Sequence, residues 1–195
     1  MPSSTSSMAR ATRSRAPRRP PPARRRPLSD TWQYLAQSPS DTDRLGRRLG
    51  RALTGGDVLA LYGELGSGKT ALVRGIASGL GASPEDVSSP TFVLIHEYRG
   101  RLRLAHADLY RLESAAELAQ IGLSDYDDGK TVTAIEWADR AGIELPADRL
   151  EIHLRHRGPA SRALRFVARS ERARRLLAQL AAPQRTRPVK RRQTR

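Results

Sequence analysis

Gly63-Glu-Leu-Gly-Ser-Gly-Lys-Thr70 is the stretch from which the rest of the chain is read. It meets every fixed position of the phosphate-binding loop pattern G-x-x-x-x-G-K-[ST]. Glycines there let backbone N–H groups turn inward around an anion, because no Cβ stands in the way. Lys69 offers a point charge to β- and γ-phosphates, and the Thr70 hydroxyl is a ligand for Mg²⁺. The flanks agree with the loop. Asp57-Val-Leu-Ala-Leu-Tyr62 is a short apolar run of strand length, and Ala71–Leu80 places Leu72, Val73, Ile76 and Leu80 at helical spacing. Strand, glycine loop, helix is the order in which a helix N-terminus receives phosphate. The sequence therefore predicts nucleotide binding, and the flanks argue against a chance glycine turn.

The 195 residues suit one domain with extra chain at its ends. A net charge of +15 suggests a nucleic-acid binder until the charge is located. Residues 1–27 carry eight Arg and no acid, and residues 184–195 carry five Arg and one Lys, again without an acid. The 21 basic and 20 acidic residues left between them make the middle close to neutral. The expected organisation is a disordered Arg/Pro/Ser-rich tail over 1–28, a folded domain over 29–183 and a second basic tail over 184–195. A start assigned too early (Met8 is another candidate) and a tail that touches RNA are the competing readings of the N-terminus. Arg outnumbers Lys 32 to 3, a bias that points to GC-rich coding more than to selection for charge.

Absence of Cys rules out disulfides and thiolate metal sites and fits a reducing cytosol. No apolar run approaches the ~18 residues that cross a bilayer, and the Arg-rich start lacks the apolar segment of a secretory signal. Pro17, Pro20, Pro21, Pro22 and Pro27 would break the amphipathic helix of a transit peptide. A cytoplasmic protein without a membrane partner is the expectation.

Outward from the loop, Trp32–Leu35 is expected as a strand, and Ser38–Thr42 as a helix start ahead of Leu45, Leu49 and Leu53. Gly55-Gly56 turns the chain into the strand before the loop. Phe92–Ile95 and Leu102–His106 are expected as strands joined by a turn at Arg99-Gly100-Arg101. Ser114–Leu118 is expected to start a helix, and Thr131–Ile135 to form a buried strand. Leu150–Leu154 and Leu164–Val167 alternate around Gly158-Pro159 as a second hairpin, and Ser170–Leu180 closes as a helix. Together these elements predict a three-layer α/β domain whose sheet is mixed, with antiparallel hairpin additions.

Hydrolysis or transfer needs an acid beside the phosphates. Asp108, after Leu104–Ala107, and Glu136, after Val132–Ile135, both end apolar strands, where such acids sit in α/β sheets. A cap for the turn at Leu109 is the plain alternative for Asp108, and a salt bridge to an Arg for Glu136. Thr91, after Ser88-Ser-Pro90, stands where a switch threonine would sense a γ-phosphate; an ordinary turn hydroxyl is the alternative. Asp125-Tyr-Asp-Asp128 lacks the glycine and terminal Glu of a calcium loop and is read as a solvated loop. His96 and His106 lie in strands without metal-ligand spacing and are read as structural.

Taken in order, the phosphate loop, Ser89-Pro-Thr-Phe92, His106-Ala-Asp-Leu-Tyr-Arg-Leu112, Glu117-Leu118, Ile121-Gly-Leu123 and Ile135-Glu-Trp137 resemble the bacterial TsaE (YjeE) family. That family comprises small ATPases of tRNA threonylcarbamoyladenosine synthesis, and the resemblance covers roughly residues 30–180. It implies a P-loop NTPase-type fold that binds ATP and Mg²⁺. Gly63, Glu64, Leu65, Gly66, Ser67, Gly68, Lys69, Thr70 and Ala71 would wrap the phosphates, with Pro39 against the adenine and Thr91 in a switch-like loop. Thr70 and Glu136 would serve the metal, Glu136 through water, while Lys69, Asp108 and Glu136 would carry the catalysis. The implied partners are TsaB and TsaD, with tRNA reached indirectly: ATP binding promotes docking and hydrolysis resets the complex. Ala107 and Ala138 depart from the usual Phe and Pro of the pattern, and the tails have no counterpart in it. A small-molecule P-loop kinase is the alternative, although no Arg-rich lid is visible between Asp108 and Thr131.

Overall fold

The computed structural model describes residues 29–112, 117 and 121–182. Among these residues the apolar runs form seven strands: β1 (Thr31–Ala36), β2 (Val58–Tyr62), β3 (Ile95–Arg99), β4 (Arg103–Asp108), β5 (Val132–Glu136), β6 (Leu150–His156) and β7 (Arg162–Ala168). They make one sheet in the order β1-β7-β6-β2-β5-β4-β3. Strand β2 pairs in parallel with β5 and β6, and β4 in parallel with β5. The hairpins β3–β4 and β6–β7, and the outer strand β1 on β7, are antiparallel. The sheet is therefore mixed in the way the sequence predicts: a parallel centre with antiparallel margins.

Among the described residues three helices pack on one face. Helix α1 (Pro39–Ala52) is capped by Ser38, whose hydroxyl accepts from Asp41 N, and has proline in its first turn, where no N–H is missed. Helix α2 (Lys69–Gly79) follows the loop. Helix α3 (Glu171–Ala181) is capped by Ser170. Leu45, Leu49 and Leu53 of the α1 stretch, Leu72, Val73 and Ile76 of α2, and Leu176, Leu177 and Leu180 of α3 meet Leu59, Leu61, Ile152 and Phe166 in one buried cluster. A smaller cluster on the opposite face joins Ala60, Ile135 and Ala107 to Leu109, Leu112, Ala138 and Ala141, the last two in a 3-10 turn over Ala138–Glu144.

One strand shifts from its expected place. Phe92–Ile95 does not form a strand: Thr91–Val93 turn, Leu94 takes a left-handed φ of 65°, and β3 begins at Ile95. Phe92 and Val93 are 83% and 62% exposed, so their apolar character marks surface rather than core. The expected helix start at Ser114–Leu118 lies outside the described residues except for Glu117.

Candidate functional site

The loop between β2 and α2 is shaped as its glycines require. Gly68 caps α2 with a φ of 102°, a conformation L side chains rarely adopt, so the helix starts directly from the glycine loop. Lys69 is buried, and its Nζ donates to the carbonyls of Gly63 at 2.7 Å and Glu64 at 3.1 Å. The same ammonium sits 3.7 Å from the centre of the Trp137 ring, a cation–π contact. Burial pushes the Lys69 ammonium below the usual lysine range, against the opposing pull of Glu136, Asp108 and Asp139. Ser67 is fully buried, and its hydroxyl has no hydrogen-bond partner.

The two strand-end acids converge on this loop. Asp108 and Glu136 are register partners across β4 and β5, so both carboxylates leave the sheet at one level and on one face. They are 1% and 2% exposed. The Thr70 hydroxyl donates to Glu136 Oε2 at 3.1 Å, and His106 Nε2 lies 2.8 Å from Glu136 Oε1. No Arg pairs with Glu136 among the described residues, which removes the salt-bridge alternative. Asp108 makes the turn cap that is its plain alternative, and its second oxygen faces the Ser89–Thr91 loop. Its Oδ1 accepts from Tyr110 N at 2.9 Å, a turn cap, while Oδ2 accepts from the Thr91 hydroxyl at 2.7 Å and from Ser89. Ser89 and Thr91 are themselves 2.8 Å apart, so the loop after α2 is tied to Asp108 by two hydroxyls.

Backbone strain gathers here. Leu94 and Trp137 are the non-glycine residues with left-handed φ among those described, one ending the Ser89–Thr91 loop and the other following Glu136. Such a conformation costs a bulky residue about 1–3 kcal/mol. For Trp137 it places the indole under Lys69.

Other expectations meet mixed outcomes. Pro39 is the exposed first helical residue of α1, and it does not line the cleft of about 630 Å³ beside the loop. The acidic stretch is structural at Asp128, which accepts from Lys130 N at 2.8 Å and Thr131 N at 2.7 Å and pairs with Arg103 at 2.7 Å. No group of three or more His, Cys, Asp or Glu that would hold a metal unaided occurs among the described residues.

Sequence reading overlooked four participants. His106, whose sequence context reads as structural, touches Glu136; it shares a strand face with Asp108 two residues on, a signal already present in the alternation. Ser89 and Trp137 lie beside Thr91 and Glu136, to which the sequence already points. Arg162, at the start of β7, donates from Nε to Ser67 O at 3.1 Å and from Nη1 to Ser161 O at 2.9 Å, tying the loop to the β6–β7 hairpin. Nothing in the sequence marks it.

A parallel β2–β5 core, a glycine loop opening a helix and a strand-end carboxylate against the loop threonine define the P-loop NTPase-type class of fold. Within that class, residues 36–164 match the family model described as Threonylcarbamoyl adenosine biosynthesis protein TsaE. The chain belongs to the TsaE family. It is similar to the Treponema pallidum tRNA threonylcarbamoyladenosine biosynthesis protein TsaE, 44% identical over 121 residues that make up 62% of this chain and 89% of that protein. The Bacillus subtilis protein of the same name is 38% identical over 138 residues, 70% of this chain and 84% of its own length. The crystal structure of Bacillus subtilis YdiB superposes with a TM-score of 0.64 at 32% identity, covering 77% of this chain and 93% of that one.

Proposed function

We propose that this chain is a Mg²⁺-dependent ATPase required to form threonylcarbamoyladenosine at position 37 of tRNAs that read codons beginning with A. In this reading it resides in the cytoplasm, and ATP binding and hydrolysis drive cycling of a TsaB–TsaD complex. The observation that carries the reading is the 3.1 Å contact between the Thr70 hydroxyl and Glu136 Oε2, made at the mouth of the phosphate loop. The pathway comes from the family, whose Treponema and Bacillus members are named for it.

The donor set suits Mg²⁺. A hydroxyl and one carboxylate are hard oxygen ligands, and this ion is ordinarily held by one or two carboxylates, waters and substrate phosphates rather than by a protein cage. Bound there, the metal would neutralise charge developing on the transferred phosphoryl group. The protein's own groups would divide the remaining work. Lys69 and the first N–H groups of α2 would hold the phosphates, and the unpartnered Ser67 hydroxyl lies in the same loop. Thr70 and Glu136 would keep the metal side of the site in register, with His106 fixing the rotamer of Glu136. Asp108 would orient the attacking water, and its two hydroxyl donors make the Ser89–Thr91 loop the segment that governs the carboxylate.

Phosphate release and multi-turnover modification by reconstituted TsaB–TsaD test the proposal. Lys69→Ala, Asp108→Ala and Glu136→Ala are each expected to abolish stimulated hydrolysis, and full cycling by all three variants would sink the mechanism. Product analysis also separates hydrolysis from the kinase alternative: free phosphate supports the former, a phosphorylated metabolite the latter.

A further inference from the structure

The two ends of the sheet are covered unequally. The smaller apolar cluster closes the face opposite the helices over β2, β4 and β5. Over β6, β7 and β1 that face carries a different set of side chains. Gln33, Arg165 and His153 stand side by side across the three strands, and Leu35, Ala163 and Arg155 form the next row. Arg155, Arg157 and Arg165 are exposed, and each is without a side-chain hydrogen bond or ion pair among the described residues. The acid on this face, Glu151, is buried and already taken by Arg149 at 2.9 Å and Arg169 at 2.8 Å. An open cleft of about 790 Å³ runs along this wall and shares His153 and Arg155 with the cleft beside the phosphate loop. At the junction Tyr62 stacks on His153, with ring centres 4.6 Å apart and planes 12° from parallel.

We propose that this face binds RNA, with successive backbone phosphates on Arg155, Arg157 and Arg165. The assignment rests on the reading of the chain as a tRNA-modification protein. Charge decides the occupant. Three unpaired guanidiniums on one wall complement a polyanion, and Arg forks match phosphate oxygens. The chain's own ends do not complement the wall, since residues 1–27 and 184–195 are basic without a single acid. An aromatic pair at the end of a basic groove also suits unpaired nucleotides, which bind through backbone charge and ring faces together.

The full-length chain, the triple variant Arg155→Gln/Arg157→Gln/Arg165→Gln and a control, Arg51→Gln/Arg99→Gln/Arg175→Gln, would be titrated with unmodified tRNA transcript over a series of salt concentrations. The control removes the same charge from exposed positions elsewhere. Thermal unfolding within about 2 °C of the parent would show that each variant is folded. The face variant is expected to bind at least tenfold more weakly at 0.1 M salt. Three lost phosphate contacts, at roughly 0.7 each for single strands, flatten its plot of log K against log salt by about 2. The control should stay within twofold. Equal losses in both variants would assign the affinity to net charge and overturn the proposal, as would no loss in either. A face variant that keeps tRNA affinity but no longer assembles with purified TsaB–TsaD would make the wall a protein interface, which also overturns it. Phosphate release by Lys69→Ala reads the ATPase proposal separately, so either idea can fail alone.

Discussion

Helices α1 and α2 touch through glycine, which makes Gly46→Ala a sharp test of the packing that holds the phosphate loop. A Cβ built on Gly46 would lie 2.6 Å from Leu72 O and 2.9 Å from Gly75 Cα. The relation is reciprocal, since a Cβ on Gly75 would lie 2.7 Å from Asp43 O and 3.0 Å from Gly46 Cα. One turn later Gly50 and Gly79 repeat it, a Cβ on Gly50 falling 3.0 Å from Gly79 Cα. Both obstacles are helix backbone, so no side chain can swing aside, and the helices must part by roughly 0.8 Å to restore ordinary contact. Overpacking of this kind costs typically 1–3 kcal/mol. Alanine in place of glycine returns about 1 kcal/mol through helix propensity. Because the clash is two-sided and rigid, the upper part of the range applies and the net loss is about 1–2 kcal/mol. For a domain of this size that lowers the melting temperature by roughly 2–8 °C. Displacement of α2 also moves Lys69 and Thr70, so nucleotide affinity should fall alongside stability. Urea denaturation of Gly46→Ala beside Arg51→Ala, an exposed α1 change expected within about 0.5 kcal/mol of the parent, decides the matter. A Gly46→Ala variant as stable as the parent, or more so, would refute the close crossing.

Arg162→Ala should release the loop from the β6–β7 hairpin and weaken nucleotide binding about tenfold, near 1.4 kcal/mol. Lysine should not restore it, because one ammonium cannot bridge the Ser67 and Ser161 carbonyls as a fork does; equilibrium titration with a fluorescent nucleotide reads both variants. Although burial pushes the Glu151 carboxyl up, the hydrogen bonds and charges of Arg169 and Arg149 outweigh it and hold the group below the usual glutamate range. Its stabilisation is therefore complete above the unfolded value of about 4.3 and is lost as pH falls through the lower folded value. Glu151→Gln should cost about 1–3 kcal/mol at pH 7, and denaturation curves of variant and parent should converge as pH falls below the usual glutamate range. Phe92→Ser, at an 83% exposed turn position, should leave stability within about 0.5 kcal/mol of the parent, whereas a buried strand residue there would cost several times more.

The legible parts of this chain are those in which local chemistry and tertiary role coincide. Gly63–Thr70 needs glycine at fixed places to fold and, in the proposed reading, lysine and threonine to bind, so one pattern reports both. The Leu45–Leu49–Leu53 stripe and the alternation of β6 and β7 are legible because each faces a single core. Phe92–Ile95 misled because an apolar run of four satisfies a strand and an exposed apolar turn equally well, and periodicity cannot separate them. Only the left-handed Leu94 and the exposure of Phe92 and Val93 do so.

The site itself divides along the same line. Asp108 and Glu136 were visible because acids at the ends of buried strands are costly unless used, and the register across β4 and β5 brings them level. His106 reads as structural from the sequence, since a buried strand histidine is ordinarily satisfied within the core. Here its Nε2 reaches Glu136 while its Nδ1 has no partner, which is a poor arrangement for stability alone. Arg162 could not have been read at all. Its worth depends on Ser67, ninety-five residues away, and exists only once β7 is laid beside β6 and β1. Residues to which the proposed reading assigns chemistry are thus marked by type and spacing. Those that hold the chemistry in place are marked by topology, and the Arg162–loop tie and the His106–Glu136 pair are where that topology reaches the phosphate site.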